Sequence, residues 1–413
     1  QVQFARTFGT SPYADVYFVA IAIVTFCLTL GSFFTEMFMQ YYNDVKVADS
    51  KNAARFYQAT FNSSAVVGFA IFITVLITFS AVCKLFAPGF DPNRIELLKM
   101  FFSILGVNIV LTGLVSLNSA LLFAEMKFML PYLLGLLTPA LNIVSVTMYS
   151  GAHGLKAIAI STLLAGVVTV AVQHTYILKM LNISFAPAFW HPDLKKLIRS
   201  SFSMRLGHQM WSLKDVVITN VLSRFSAGTV SLYYYGYKVI SVLYAITNSP
   251  ILRIFSAKVA RYVSLKDFGS IRRTLKKTFI VNTGLFIVIL IPFIFLLPKM
   301  LTLLFGSKFS AENIKLIHFI FIALIPFHLI QSVEVLFSNI VIALKQSLKV
   351  ITINAAFLSI FGVSLLLLVR INGVYAIPIS LAIAQLFNLT LYVYGTRRYL
   401  NEFVIDVNMQ GLD

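Results

Sequence analysis

The stretch GLKAIAIS at residues 154–161 returns as GVYAIPIS at residues 373–380, so that Gly154, Ala157, Ile158, Ile160 and Ser161 recur as Gly373, Ala376, Ile377, Ile379 and Ser380. The separation is 219 residues, and it holds elsewhere. Ile95, Leu97, Phe102 and Leu105 recur as Ile314, Leu316, Phe321 and Leu324, and Gly9-Thr10 recurs as Gly228-Thr229. A fixed period of this kind means two copies of one structural unit. In membrane proteins, two such copies place a cargo site at their interface.

Each copy is made of apolar helices. The chain of 413 residues is 59% hydrophobic and 12% charged, with a mean hydropathy of +0.86, far more apolar surface than a water-soluble domain hides. Apolar runs of about 20 residues or more, the length that crosses a bilayer core, lie near 14–40, 57–86, 97–124, 129–149, 155–181, 196–222, 229–256, 278–304, 315–344, 347–369 and 374–396. The repeat demands one more helix before Gly9, most of which would precede Gln1. The expected fold is therefore an all-α polytopic membrane protein of about twelve transmembrane helices in two six-helix lobes, related by a pseudo-two-fold axis along the membrane normal. Residues 1–181 form the N-terminal lobe, 182–195 a cytoplasmic connection, 196–400 the C-terminal lobe and 401–413 a cytoplasmic tail.

Lys and Arg are retained on the cytoplasmic side of short loops. Their larger share, including the basic connection from Lys258 to Lys277 and the pair Arg397-Arg398, places both termini in the cytoplasm. The same rim accounts for the net charge of +18 through attraction to anionic headgroups, without nucleic acid as a partner. Cys27 and Cys83 both fall inside apolar runs, so neither a disulfide framework nor a cysteine metal site is expected. A Walker-type loop, an HExxH helix and a nucleophile elbow are all missing, and no loop has room for a soluble catalytic domain. Transport rather than catalysis is expected, with no cofactor and no metal.

Charges within apolar helices are costly and mark pathways. In SFSMRLGHQMWSLKDVV, residues 201–217, helical spacing puts Arg205, His208, Ser212 and Asp215 in an arc of about 80°, with Lys214 nearly opposite as a structural partner. Such a face could hold an anionic headgroup; the alternative is that Arg205 snorkels and a neighbouring lysine neutralises Asp215. On the next helix Lys238 and Arg253 share a stripe, about 22 Å apart, suited to a positively lined path. Tyr233, Tyr234, Tyr235 and Tyr237 beside them could stack on sugars or anchor the helix at the interface. In the first copy the comparable charges are Arg6, Asp15 and Glu36. Arg6 and Asp15 lie close to the outer surface, where pairing across the turn is the alternative to a cavity role, and Glu36 sits near the cytoplasmic end of its helix. Glu334 has no local counter-ion and could pair with a cleft cation. Asp215, Glu334 and Glu36 are candidates for an ion-coupling or cavity acid. His318 and His328, ten residues apart, are not spaced as ligands.

These residues carry a resemblance. Arg6-Thr-Phe-Gly9 followed by Asp15 and Phe18-Val-Ala20, then Ala87-Pro-Gly-Phe90, then Gly228-Thr-Val-Ser231 with Tyr234 and Tyr235, resemble the motifs of the MurJ/MviN family within the multidrug/oligosaccharidyl-lipid/polysaccharide exporter superfamily. The resemblance implies a flippase for undecaprenyl-diphosphate-linked glycans in the bacterial cytoplasmic membrane, with a cationic central cavity and alternating access. It puts Lys238 where the family has an essential basic residue on helix eight. Leu28 and Thr29 stand where lipid II flippases carry an arginine pair, which keeps exopolysaccharide, capsule and O-antigen repeat units in view as cargo beside lipid II.

The expected substrate site is Arg205, His208, Lys238, Arg253 and Arg6. Partners are a polyprenyl-diphosphate-linked glycan and membrane lipids, the protein is expected to be a monomer, and sodium, proton or chloride are the candidates for a coupling ion. Pro250, Pro292, Pro298 and Pro326 offer bend points. The alternative function is a multidrug or solute antiporter of the same superfamily.

Overall fold

The structure is a computed structural model that describes residues 2–31, 34–35, 37–149, 154–184, 187–305, 309–344 and 346–410. Among them every regular element is helical and there is no strand. By its contacts the chain falls into two compact units, Gln1–Ser231 and Leu232–Asp413. The helix Pro192–Leu222 packs with the first unit, on Pro12–Gly31 and Phe79–Phe86. Packing units and repeat copies are different divisions of one chain.

The repeat is written into the backbone. Among the described residues four glycines have positive φ, and they form two pairs 219 apart: Gly9 at 57° with Gly228 at 91°, and Gly154 at 55° with Gly373 at 53°. A side chain is strained there, so each copy has kept glycine at the same two turns. Asp91 and Ser310, again 219 apart, each cap a helix by accepting from the backbone N–H three residues on, Arg94 at 2.9 Å and Asn313 at 3.2 Å. The apolar segment that each opens is interrupted before its midpoint, between Leu105 and Asn108 in the first and between Ala323 and Ile325 in the second.

Among the described residues nine segments are long and apolar enough to span a bilayer: Pro12–Gly31, Ser50–Ile77, Pro92–Ala124, Met129–Met148, Leu155–Leu181, Thr229–Val263, Phe268–Phe305, Ala311–Ala343 and Leu348–Arg398. The last contains two helices, Ser347–Asn372 and Ala376–Gln410, joined by the short turn Gly373–Tyr375. The remaining expected run, 196–222, lies in a continuous 31-residue helix, Pro192–Leu222, whose lysines and arginines keep it out of the strongly apolar set.

Several helices run past the apolar stretches that announce them. Phe268–Phe305 begins well before residue 278, and Thr229–Ser264 ends well after residue 256. Their basic ends extend the helix into water, where hydropathy is blind to it. Pro250, Pro292 and Pro298 sit inside continuous helices, whereas Pro326 stands in the first turn of Ile325–Ala343, where its missing N–H costs nothing.

Packing follows membrane rules. Leu303, Phe295 and Leu366 are largely exposed, as lipid-facing side chains should be. The core of the first unit is an aromatic cluster in which Phe38 stacks on Phe56 at 5.5 Å, joined by Tyr42, Tyr57 and Phe61, with Leu194 and Leu197 packed into it. In the second unit Phe255 and Val259 pack on Leu336 and Ile340.

Candidate functional site

The first charged constellation is a clasp around Asp15. This residue lies in the first turn of Pro12–Gly31 and is fully buried. Its Oδ2 accepts from the Gly228 N–H at 2.7 Å and its Oδ1 from the Ser231 N–H at 2.8 Å. Those N–H groups open the Thr229–Ser264 helix and have no partner within it, so a carboxylate from elsewhere serves as their cap.

Arg94 stands 4.0 Å from the same Oδ2, held by Asp91 at 2.6 Å and lying 4.6 Å over the Phe90 ring. Ser223 Oγ accepts from the Gly89 N–H at 3.2 Å. A Cβ on Gly89 would lie 2.1 Å from the Ser223 carbonyl oxygen, and one on Gly228 would lie 2.7 Å from that of Thr10. The three motifs noted in the sequence, around Asp15, Gly89 and Gly228, thus meet at one place. The expected pairing of Asp15 with Arg6 is corrected: the cation beside Asp15 is Arg94, which sequence distance concealed. Arg6 is exposed on Val2–Phe8.

On Pro192–Leu222, Arg205 is half-buried and His208 exposed. Lys214 is buried, pairs with Asp215 at 3.2 Å and lies 4.8 Å from the Trp211 ring centre. Asp215 therefore already has its cation, supplied by the adjacent residue. Ser212, which shares the arc, turns its hydroxyl back to the Gln209 carbonyl at 2.9 Å.

Lys238 is half-buried on Thr229–Ser264 and Arg253 is exposed on the same helix. Neither makes a hydrogen bond or ion pair among the described residues of Leu232–Asp413, in contrast to Lys46, Lys196 and Lys214, each of which has an acid. Of the neighbouring tyrosines, Tyr233 and Tyr235 are buried, and Tyr235 packs 5.5 Å from Phe309 and 5.8 Å from Phe305. These two rings are committed to packing and are not open to a sugar.

Glu334 is buried in Ile325–Ala343, where its Oε2 accepts from Gln385 Nε2 at 3.2 Å. Around it the second unit carries neutral polar groups that sequence reasoning missed. Asn282 Nδ2 bridges Asn248 Oδ1 at 2.6 Å and the Ser332 carbonyl at 3.0 Å, and the Tyr392 hydroxyl reaches Asn354 Oδ1 at 3.4 Å. Single amides in apolar helices leave no charge signal; their only trace is a spacing of three or four residues, as in Gln385, Asn388 and Tyr392. Glu36 lies outside the described residues. His318 faces the Ile294 carbonyl at 2.8 Å and His328 that of Leu324 at 3.1 Å, so the two serve separate backbone groups.

Outside the apolar spans, Lys46 and Tyr42 both donate to Glu125 at 2.7 Å. Burial pushes the Glu125 carboxyl up, but these bonds outweigh it and hold it below the usual glutamate range. The connection before Pro192 is tied to the Ser50–Ile77 helix by Gln58 to the Ser184 carbonyl at 2.6 Å and Asn62 to that of Ala188 at 2.8 Å. His191, close to Asn52, is held below its ordinary value by burial, against the pull of Asp193.

With this arrangement in view, the family described as lipid II flippase MurJ matches residues 4–409. The chain belongs to the MurJ family. Members of the family are lipid II transporters embedded in the membrane by many helices. Among solved structures, the chain is similar to "Lipid II flippase MurJ, inward closed conformation", at 18% identity and a TM-score of 0.80, covering 96% of this chain and 84% of that one.

An inward-facing multidrug resistance MATE transporter of the MOP superfamily gives 13% identity and a TM-score of 0.80 over 97% and 94%. A MOP superfamily transporter from Pyrococcus furiosus gives 15% identity and 0.64 over 97% and 91%. These structures share the two-lobed MurJ/MATE fold. No curated protein sequence matches the chain.

Proposed function

We propose that this chain moves polyprenyl-diphosphate-linked glycans, lipid II or a related repeat unit, across the bacterial cytoplasmic membrane by alternating access. The carrying observation is Lys238. It is a half-buried ammonium in an apolar helix with no acid of its own among the described residues of its unit. A diphosphate would supply a counter-charge through charge-assisted hydrogen bonds, with Arg253 further along the same helix.

The polyprenyl tail stays in lipid, which is why the protein needs polar lining only for the headgroup. An inside-negative potential favours outward movement of the anion by about 2.3 kcal/mol per charge per 100 mV, so the reading requires no nucleotide. Membership of the MurJ family supports this cargo over the solute-antiport alternative, which the MATE fold likeness alone would allow.

The test is reconstitution in proteoliposomes with lipid II and, separately, with undecaprenyl-diphosphate carrying other sugars. Flipping of at least one of them is expected. Export of cationic drugs without movement of any of these lipids would overturn the reading.

A further inference from the structure

Glu334 is a buried acid that the substrate site does not use. Only 7% of its surface is exposed, and its carboxyl is met by the Gln385 amide at 3.2 Å and by the Ser338 hydroxyl, both neutral. The elements packed on Ile325–Ala343 within this unit are Phe268–Phe305, Ala311–Ala323, Ser347–Asn372 and Ala376–Gln410, with Thr229–Ser264 reached through Phe255 and Val259. Among the described residues, these helices bring two phenols, Tyr244 and Tyr392, within electrostatic reach of Glu334. On its own helix His328 packs against Tyr244 at 5.6 Å. No lysine, arginine or histidine forms an ion pair with Glu334 among the described residues of the unit.

A carboxylate in such surroundings carries a heavy desolvation cost that cancelling its charge would remove. Two further facts bear on this. Gln385 Oε1 is buried with no partner, and so are both amide atoms of Asn388, one turn along the same helix. Gln385 and Asn388 are themselves almost wholly buried. A native interior rarely leaves such acceptors orphaned. The Gln385 amide serves either charge state: its Nε2 donates to the ionised carboxylate, and with the amide turned over its Oε1 accepts the O–H of a protonated Glu334.

The second fact is the repeat. At the 219-residue separation the first copy has Val115 and Gly166 where the second has Glu334 and Gln385. The equivalent helices of the first copy therefore form without an acid at that position.

We infer that Glu334 and Gln385 form a proton-binding site in the second unit, loaded and emptied as the protein works. The chemistry is a single step: a proton from water bonds to a carboxyl oxygen, the charge is cancelled, and no other bond changes. A buried acid that forms no ion pair among the described residues of the unit suits a proton, which needs a single oxygen, whereas a metal cation would want several more oxygens turned inward. The use of this site in coupling rests on the transport reading; its proton affinity does not.

The experiment is infrared difference spectroscopy on the full chain in lipid nanodiscs, titrated between about pH 5 and about pH 9. A carbonyl stretch of a protonated carboxyl, shifted in D2O and absent in Glu334→Gln, is the expected result. If Glu334→Gln does not fold, Gln385→Met serves, by moving the band rather than deleting it. Absence of the band throughout the range, or its removal by sodium at fixed pH, overturns the inference.

In proteoliposomes held at constant voltage, the transbilayer ratio of flipped lipid should then follow an imposed pH gradient by about tenfold per unit for one coupled proton. It should ignore the gradient in Glu334→Gln, and a wild-type ratio indifferent to the gradient would remove the coupling role. Failure of the wild type to flip any of the lipids strikes the transport reading and the coupling built on it, while the infrared result decides the proton site by itself.

Discussion

Asp15 and Ser231 are 216 residues apart in the chain, yet the carboxylate of the first accepts the backbone N–H of the second at 2.8 Å. The bond, with its companion to Gly228, makes the end of one helix depend on a side chain from another. It is also the point where sequence motifs of unexplained purpose become one structure.

Asp15→Ala should be severely destabilising. It strands two buried N–H donors, each worth about 1–3 kcal/mol when unsatisfied, and leaves Arg94 without its buried acid. Thermal unfolding in detergent and hydrogen exchange at Gly228 and Ser231 both report on it. Unchanged protection at these two amides would contradict the clasp.

Gly89→Ala tests the same region by volume. The new methyl would lie 2.1 Å from the Ser223 carbonyl oxygen and 2.6 Å from Arg224 Cα, backbone atoms that cannot swing aside. A loss of at least about 1–3 kcal/mol is expected, against little effect for an alanine at Gly284, where nothing lies within 4 Å.

Acid should release the Glu125 contact. Its folded pKa is depressed, so its stabilising contribution is complete above the unfolded glutamate pKa of about 4.3 and is lost as pH falls through the lower folded value. Lys46→Met should flatten that part of the profile. Because the Lys46 side chain is partly exposed, the difference should stay under about 1 kcal/mol. Melting temperature against pH for both proteins checks it.

The sequence showed some of this directly and hid the rest, for physical reasons. Repetition is visible because two glycine turns in each copy tolerate no side chain, and the spans are visible because lipid demands long apolar runs. Helix ends were less visible: the basic turns after residue 256 and before residue 278 are helical but not apolar. Partners across long loops were invisible. Asp15 caps backbone N–H groups, which every residue but proline has, so nothing in the letters marks Gly228 and Ser231 as its mates.

Lys214 was legible as a structural cation, and its neighbour Asp215 proved to be its partner. The amides around Glu334 escaped notice because a neutral side chain carries no charge to count.

The most direct measurement is flipping by Lys238→Ala and Lys238→Arg beside the wild type, in proteoliposomes loaded with a polyprenyl-diphosphate-linked glycan and with folded protein verified in each. If the Lys238 ammonium receives the diphosphate, the alanine variant should lose about tenfold or more of the rate, as expected when a charge-assisted contact is removed. The arginine variant should retain measurable flipping with altered affinity. Wild-type rates in the alanine variant would contradict the account.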